Sequence, residues 1–254
     1  MSSYDQNHLP HFQRRHGAGP TVVLLHYWGG SGRTWAPVIA NLPERDVLTI
    51  DFRGWGNSRT LPPPYDLHQL AADTSAVLDA AGVSEFVLVG HSMGGKVAQL
   101  VAATEPPGLR SIVLVASAPA LPPVYVDAAY QEHLAHAYDS AEAAADARDH
   151  VLTATGLPAE LQAQVIEDSL ASAAGARAEW PLRGIAEDIT TETQRITVPA
   201  LVVAGEHDLV EPVEVLRDGL LPYLADAALT VLPGSGHLLP LESPQALAAL
   251  IADR

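Results

Sequence analysis

The chain contains no cysteine, which excludes a disulfide framework, a zinc–thiolate site and a cysteine nucleophile, and leaves the redox compartment open. Positive charge is also scarce. Lysine occurs once, at Lys96, and 14 Lys and Arg stand against 30 Asp and Glu, for a formal net charge of −16. Nucleic-acid binding draws its affinity from cations that displace counterions, so this balance argues against such a partner. Acid excess of this size keeps a protein soluble and repels anionic substrates at long range. No stretch approaches the roughly 20 apolar residues of a membrane span. The opening residues MSSYDQNHLPHFQRRHG lack the apolar core of a secretory signal. The expectation is a cytoplasmic protein with no membrane partner; no pattern in the sequence sets an oligomeric state.

What is present is a globular composition, 48% hydrophobic and 17% charged over 254 residues, long enough for one large α/β domain with an insertion. Short apolar runs recur at 21–26 (TVVLLH), 46–51 (DVLTID), 85–90 (EFVLVG), 110–117 (RSIVLVAS), 199–205 (PALVVAG) and 227–233 (AALTVLP). They are apolar at successive residues rather than alternately, as strands covered on both faces require. Between them, Leu67, Leu70, Ala71, Thr74, Val77, Leu78 and Ala81 keep helical spacing up to Gly82. Further helices are expected from Met93 to Thr104, from Val213 to Leu221 and from Gln245 onward. The predicted fold is α/β, a doubly wound, mostly parallel sheet, with the polar residues 1–20 expected as an edge hairpin.

The rhythm stops between Pro119 and Thr197, where Ala-rich acidic segments such as SAEAAADARDH replace strand-like runs. Turn signals, ALPP at 120–123 and TVP at 197–199, flank the break. Leu157, Leu161, Val165 and Leu170 give it helical periodicity. Residues 1–119 and 197–254 are therefore expected to form the core, and 120–196 a helical cap inserted into it.

Gly90-His91-Ser92-Met93-Gly94 fits G-x-S-x-G directly after a strand run and directly before a helix. Glycines there permit a sharp turn that lifts the serine above the sheet edge, and a helix N-terminus favours developing negative charge. A serine hydroxyl needs a base and an orienting acid. GEHDLVEP at 205–212 and GSGHLLPLESP at 234–244 follow the last two strand runs and carry Asp208 and His237. Glu206 and Glu211 stand as alternative acids in the first of these loops.

These motifs, with DFRGWGNS at 51–58, resemble the α/β-hydrolase superfamily over essentially the whole chain, in particular its capped, single-domain esterases and lactonases. The resemblance implies Ser92 as nucleophile, His237 as general base and then acid, Asp208 as the acid that fixes the imidazole, and neither metal nor organic cofactor. It also implies an oxyanion hole of two backbone N–H groups, from Met93 and from Trp28 in HYWGGSG. Tyr27 stands where relatives usually carry glycine. His26, at the head of that loop, is expected to brace it through backbone hydrogen bonds, and His91 to support packing.

The implied substrate is a small to medium carboxylic ester or lactone. Candidate pocket residues are Tyr27, Trp28, Trp55, His91, Tyr125, Tyr130, Tyr138 and Trp180. His133 and His136 are spaced to share a helix face, but no third ligand accompanies them, so no metal is expected. The serine excludes dehalogenases and epoxide hydrolases that resemble this fold, which use aspartate at that position. Cofactor-free haloperoxidases or perhydrolases remain an alternative, as does a ligand sensor retaining the triad.

Overall fold

A computed structural model describes residues 8–254. Its sheet has seven strands: β1 Phe12–Arg15, β2 Ala18–Leu25, β3 Arg45–Ile50, β4 Phe86–His91, β5 Leu109–Val115, β6 Ala200–Gly205 and β7 Ala227–Leu232. They lie in the order β1-β3-β2-β4-β5-β6-β7, parallel except for β1. Every residue of β4 and β6 is buried, as the uninterrupted apolar runs require. Successive residues still serve opposite faces. Val23, Leu25, Leu88 and Leu114 join one core cluster, while Val22, Leu24, Val87 and Val113 join the other.

The N-terminal hairpin is not found among the described residues. Residues 1–7 lie outside the described part, and β1 pairs antiparallel with β3 (Phe12 opposite Ile50) rather than with β2. The chain passes from one flank of β3 to the other at Gly17. A Cβ there would collide with the Arg45 carbonyl, so the close crossing depends on glycine.

Helices α1 Ala36–Ala40, α2 Leu67–Ala80 and α3 Met93–Ala102 follow in the first half. Asp66 caps α2 by accepting from the Gln69 N–H at 2.8 Å, and Gly82 just beyond it takes φ +62°. Helices α4 Ala128–Ala135, α5 Ala141–Ala147, α6 Ala159–Ala171, α7 Ala174–Leu182 and α8 Thr190–Thr193 fill the interval between β5 and β6, with a π-helical turn at Arg148–Leu152. The interval holds no strand among the described residues. Then come α9 Val213–Gly219, α10 Leu239–Glu242 and α11 Pro244–Ala252. Leu70, Val77, Val97 and Leu216 cover one sheet face; Val38, Leu239, Leu247 and Ile251 cover the other. No helix of the described residues is long and apolar enough to cross a membrane.

Helix α6 keeps its apolar reading at Leu161 and Val165, which cluster with Leu157, but not throughout. Leu157 precedes it and Leu170 is exposed, whereas Asp168 and Ser169 are buried with Val165. They face the loop after β2: Asp168 accepts from Ser31 Oγ at 3.0 Å and Arg33 Nε at 2.9 Å, and Ser169 Oγ donates to Gly29 O. Polar pairing thus adds a second attachment beside the apolar cluster that Leu161 and Val165 share with Tyr27 and Leu238.

The same loop is held from below by Asp51 at the end of β3. Its carboxylate accepts from the N–H groups of Gly32 at 2.7 Å and Asn57 at 2.9 Å, and from Asn57 Nδ2 at 2.9 Å. Burial works to raise its pKa, but these donors outweigh burial and hold it below the usual carboxylate range. Asp51→Asn replaces one acceptor by a donor facing an N–H, a loss of about 1–3 kcal/mol. Because the folded pKa is depressed, this stability is present above roughly pH 4 and lost as pH falls through the folded value. Thermal melting is expected to show a lower Tm for the variant at pH 7 and convergence of the two proteins in acid. Equal melting at pH 7 would remove the anchor.

Candidate active site

The connection from β4 to α3 consists of one residue, Ser92, at φ 55° and ψ −119°, a conformation that a side chain makes costly. Its neighbours hold it there. The Ser92 N–H donates to Val115 O at 3.0 Å, and its carbonyl accepts from the N–H groups of Gly95 and Ala118. The flanking glycines are a packing requirement: a Cβ on Gly90 would collide with Gly94 O, and one on Gly94 would come within 2.5 Å of His26 O. Met93 opens α3, so helix geometry gives its N–H no partner within the helix.

Strand order sets what surrounds Ser92. The connection after β2 leads to β3 on one side, and that after β4 leads to β5 on the other, so a crevice opens at the carboxyl ends of these adjacent strands. The loop after β2 borders Ser92 on one side of that crevice. The loops after β6 and β7 approach it from the other.

Those two loops carry the acid and the histidine, both buried. Asp208 Oδ2 lies 2.9 Å from His237 Nδ1, while Oδ1 accepts from the N–H groups of Val210 at 2.8 Å and Glu211 at 3.0 Å. Burial opposes the charge on Asp208, but His237 and these donors prevail and lower its pKa. Glu206 is exposed and accepts from the Gly234 N–H, while Glu211 is buried and is not the hydrogen-bond partner of His237 Nδ1. Of the three acids in this loop, Asp208 meets the imidazole. With the carboxylate as acceptor, Nδ1 carries the proton and the Nε2 lone pair is left to accept. Leu152 O receives the N–H groups of both His237 and Leu238 at 3.0 Å, tying the histidine loop to the interval between β5 and β6.

Two further histidines support the backbone. His26 Nε2 accepts from the Phe52 N–H at 3.1 Å, so its proton is on Nδ1, which donates to Tyr27 O at 2.7 Å. Burial lowers its pKa and keeps it neutral. His91 Nε2 donates to His237 O at 2.8 Å, and burial, reinforced by His237, lowers its pKa to about 3. Both are loop supports, in keeping with the expectation from sequence. Tyr27 is accommodated where glycine was expected because its φ is not positive and because Gly30 leaves room: a Cβ there would come 2.6 Å from the Tyr27 ring.

A cavity of about 550 Å³ is lined by Ser92, His237, Tyr27, Trp28, Tyr130, Tyr138 and Trp180 among others. Trp28 stacks 4.3 Å from Tyr138 and donates from Nε1 to Arg177 O at 3.0 Å. Three pocket candidates lie elsewhere. Trp55 is core beneath His26, with ring centroids 6.2 Å apart. His91 sits behind His237 rather than in front of it. Tyr125 is half exposed, its ring edge-on to Tyr130 outside the cavity. Met93 is buried at the elbow and presents no side chain to the cavity.

Sequence reasoning missed Leu152, Ile185, Leu209 and Val210 in the lining, which no local pattern marks. It considered Glu211, another lining residue, only as an alternative acid. His133 and His136 also reach the wall. His136 bonds Asp139 at 2.6 Å, and no group of side chains among the described residues is arranged to hold a metal.

The Alpha/beta hydrolase family matches residues 22–250. The RutD protein of Escherichia coli O44:H18, named as a candidate carbamate hydrolase, is 30% identical over 241 residues, covering 91% of this chain and 88% of RutD. The pimeloyl-[acyl-carrier protein] methyl ester esterase of Pseudoalteromonas atlantica is 40% identical over 105 residues, covering 41% of this chain and 39% of that enzyme. The alignment thus spans about two fifths of the esterase. The crystal structure of the enol-lactonase from Burkholderia xenovorans superposes with a TM-score of 0.81 at 25% identity, covering 96% of this chain and 95% of that one.

The packing at Gly94 generates a direct test. Gly94→Ala adds helix propensity but drives Cβ into the backbone at Leu25 and His26, an overpacking cost of about 1–3 kcal/mol. Gly156→Ala, with nothing within 4 Å of the new Cβ, is the control. Thermal melting is expected to show a lower Tm for the first variant alone; a Gly94→Ala protein as stable as the control would mean that the elbow tolerates a side chain there.

Proposed function

The chain belongs to the alpha/beta hydrolase family, and on that premise we propose that it hydrolyses small to medium carboxylic esters or lactones through an acyl-enzyme on Ser92. The observation that carries the proposal is the 2.9 Å contact between His237 Nδ1 and Asp208 Oδ2. It leaves the other imidazole nitrogen free to accept, in a histidine that shares a cavity with a serine on a strained turn.

In this reading Ser92 Oγ attacks the substrate carbonyl as His237 Nε2 takes its proton. The carbonyl oxygen gathers charge in a hole formed by the N–H groups of Met93 and Trp28. Collapse of the tetrahedral intermediate breaks the ester bond, and the leaving alcohol receives the proton from His237. Water then repeats the sequence on the acyl-enzyme, releasing the acid and restoring Ser92. Asp208 keeps its charge throughout, fixing the imidazole and stabilising the imidazolium. No step calls for a metal or organic cofactor.

Residues 120–196 serve as the cap. They supply Tyr130, Tyr138, Trp180 and Ile185 to the cavity wall, and its volume of about 550 Å³ is in the range of small-molecule sites. The aromatic lining suits an apolar acyl or alkyl group. Among the relatives, the esterase and the enol-lactonase support the ester and lactone classes.

Ser92→Ala is expected to abolish turnover of a p-nitrophenyl ester with an unchanged melting curve, since it deletes one hydroxyl and no core volume. Asp208→Asn is expected to slow turnover by up to about 10⁴, the scale of losing an orienting acid in a serine protease; Glu206→Gln is expected to be mild. Steady-state kinetics on the three variants checks both points. Activity surviving in Ser92→Ala, or a larger loss at Glu206 than at Asp208, would overturn the assignment.

A further inference from the structure

Glu211 follows Asp208 by three residues and lines the cavity shared by Ser92 and His237. It is only 5% exposed. Its N–H donates to Asp208 Oδ1 at 3.0 Å, but among the described residues its carboxyl has no hydrogen-bond partner. Two buried carboxyls three residues apart in one loop cannot both hold a charge cheaply. Asp208 has His237 and two backbone N–H groups to stabilise its charge; the Glu211 carboxyl has none of these.

The charged and titratable groups acting on Glu211 are Asp208 on its own loop, Lys96 from α3, and Tyr125 and Tyr130 from the segment packed above, and His133, His136, Asp146 and His237 line the same cavity. Lys96 is occupied by the carbonyls of Gly184 and Ile185, at 3.2 and 3.3 Å. Burial first, and then Asp208, push the Glu211 pKa well above its ordinary value, with Lys96 opposing. A neutral carboxyl is one O–H donor and one carbonyl acceptor. At the cavity wall without a protein hydrogen-bond partner, it is a polar group placed to meet one.

The side of the cavity follows from the sheet. Trp28 comes from the loop after β2 and Glu211 from the loop after β6, with the β4 elbow between them. In the hydrolysis proposed above the leaving oxygen faces His237, which bonds Asp208 of the β6 loop, and that reading assigns the alcohol part of the substrate to the Glu211 side.

We propose that Glu211 is a specificity-determining residue whose carboxylic acid donates a hydrogen bond to an uncharged oxygen in the alcohol part of the substrate. The preferred substrates are then esters or lactones with an ether, hydroxyl or carbonyl oxygen beyond the scissile bond. A carboxylate at that place is rejected. The inference rests on Ser92 hydrolysis and names its substrate class.

The test uses butyl acetate, 2-methoxyethyl acetate, in which one CH2 becomes oxygen, and 3-acetoxypropanoate, which carries a carboxylate. Acetate release is measured for the wild type, Glu211→Gln and Glu211→Leu, with melting curves for each. The kcat/KM ratio of the methoxyethyl to the butyl ester is expected to fall about tenfold in Glu211→Leu, the scale of one hydrogen bond, and to stay within about threefold in Glu211→Gln, which keeps a donor. The change lies in KM, and the carboxylate ester is the poorest wild-type substrate. As pH rises, ionisation of Glu211 removes the donor, so the wild-type ratio falls while that of Glu211→Gln does not. Any pH effect on the chemistry common to both esters cancels in the ratio.

Ser92-dependent hydrolysis with the same ratio in wild type and Glu211→Leu, or a preferred carboxylate ester, overturns this inference alone. If Glu211→Leu does not fold, the pH dependence of the ratio in wild type against Glu211→Gln decides. Absence of hydrolysis of all three acetates, or hydrolysis surviving in Ser92→Ala, overturns the serine-hydrolase reading and this inference with it.

Discussion

The backbone of Ser92 is the constraint on which the site depends. A residue at φ 55° between a strand and a helix is stable only if its surroundings determine it. β5 contributes Val115 O, the chain after β5 contributes the Ala118 N–H, and α3 closes onto the serine carbonyl. Gly94 lets α3 approach the end of β2. The parallel sheet thus acts as a jig. Its strand order opens a crevice beside the serine, and its buried central strands keep the crevice rigid.

Charge is handled with equal economy. In a chain of net charge −16, the two buried acids of the loop after β6 are shifted in opposite directions: His237 and backbone donors hold the Asp208 pKa down, and burial pushes that of Glu211 up. Asp208 is surrounded by three donors, and Glu211 faces the cavity without any. The proposed division of roles, an anion that orients an imidazole and a neutral acid that meets a ligand, rests on this contrast. The only lysine, Lys96, is spent on two backbone carbonyls of the segment above the sheet. It connects the elbow helix to the cavity wall.

Much of this was legible in the sequence because strands buried on both faces carry uninterrupted apolar runs, although the last run forms β7, an edge strand that is largely unburied. The six apolar runs correspond to β2 through β7, and α2 ends at Gly82 as its periodicity implies. Asp208 and His237 were legible because each follows such a run. β1 was not: a four-residue edge strand is only partly buried, and its partner, β3, is some thirty residues away. The pocket was the least legible part. Trp55, His91 and Tyr125 are aromatic and close in sequence to the site, but which way a ring faces depends on what packs behind it. For Trp55 and His91 that is the core under the loop. Buried Asp168 and Ser169 in α6 show the converse, polar residues turned inward by partners that a hydrophobic pattern does not register.

The central claim is that Ser92 becomes covalently acylated during turnover. Acid quenching during hydrolysis of p-nitrophenyl pivalate, whose hindered acyl group slows the second step, followed by peptide mass mapping, tests it most directly. The account predicts a pivaloyl mass increment confined to the peptide carrying Ser92 and located on that serine. Release of p-nitrophenol with no acylated Ser92 at any quench time, or with the acyl group on Asp208 or His237 instead, would contradict it.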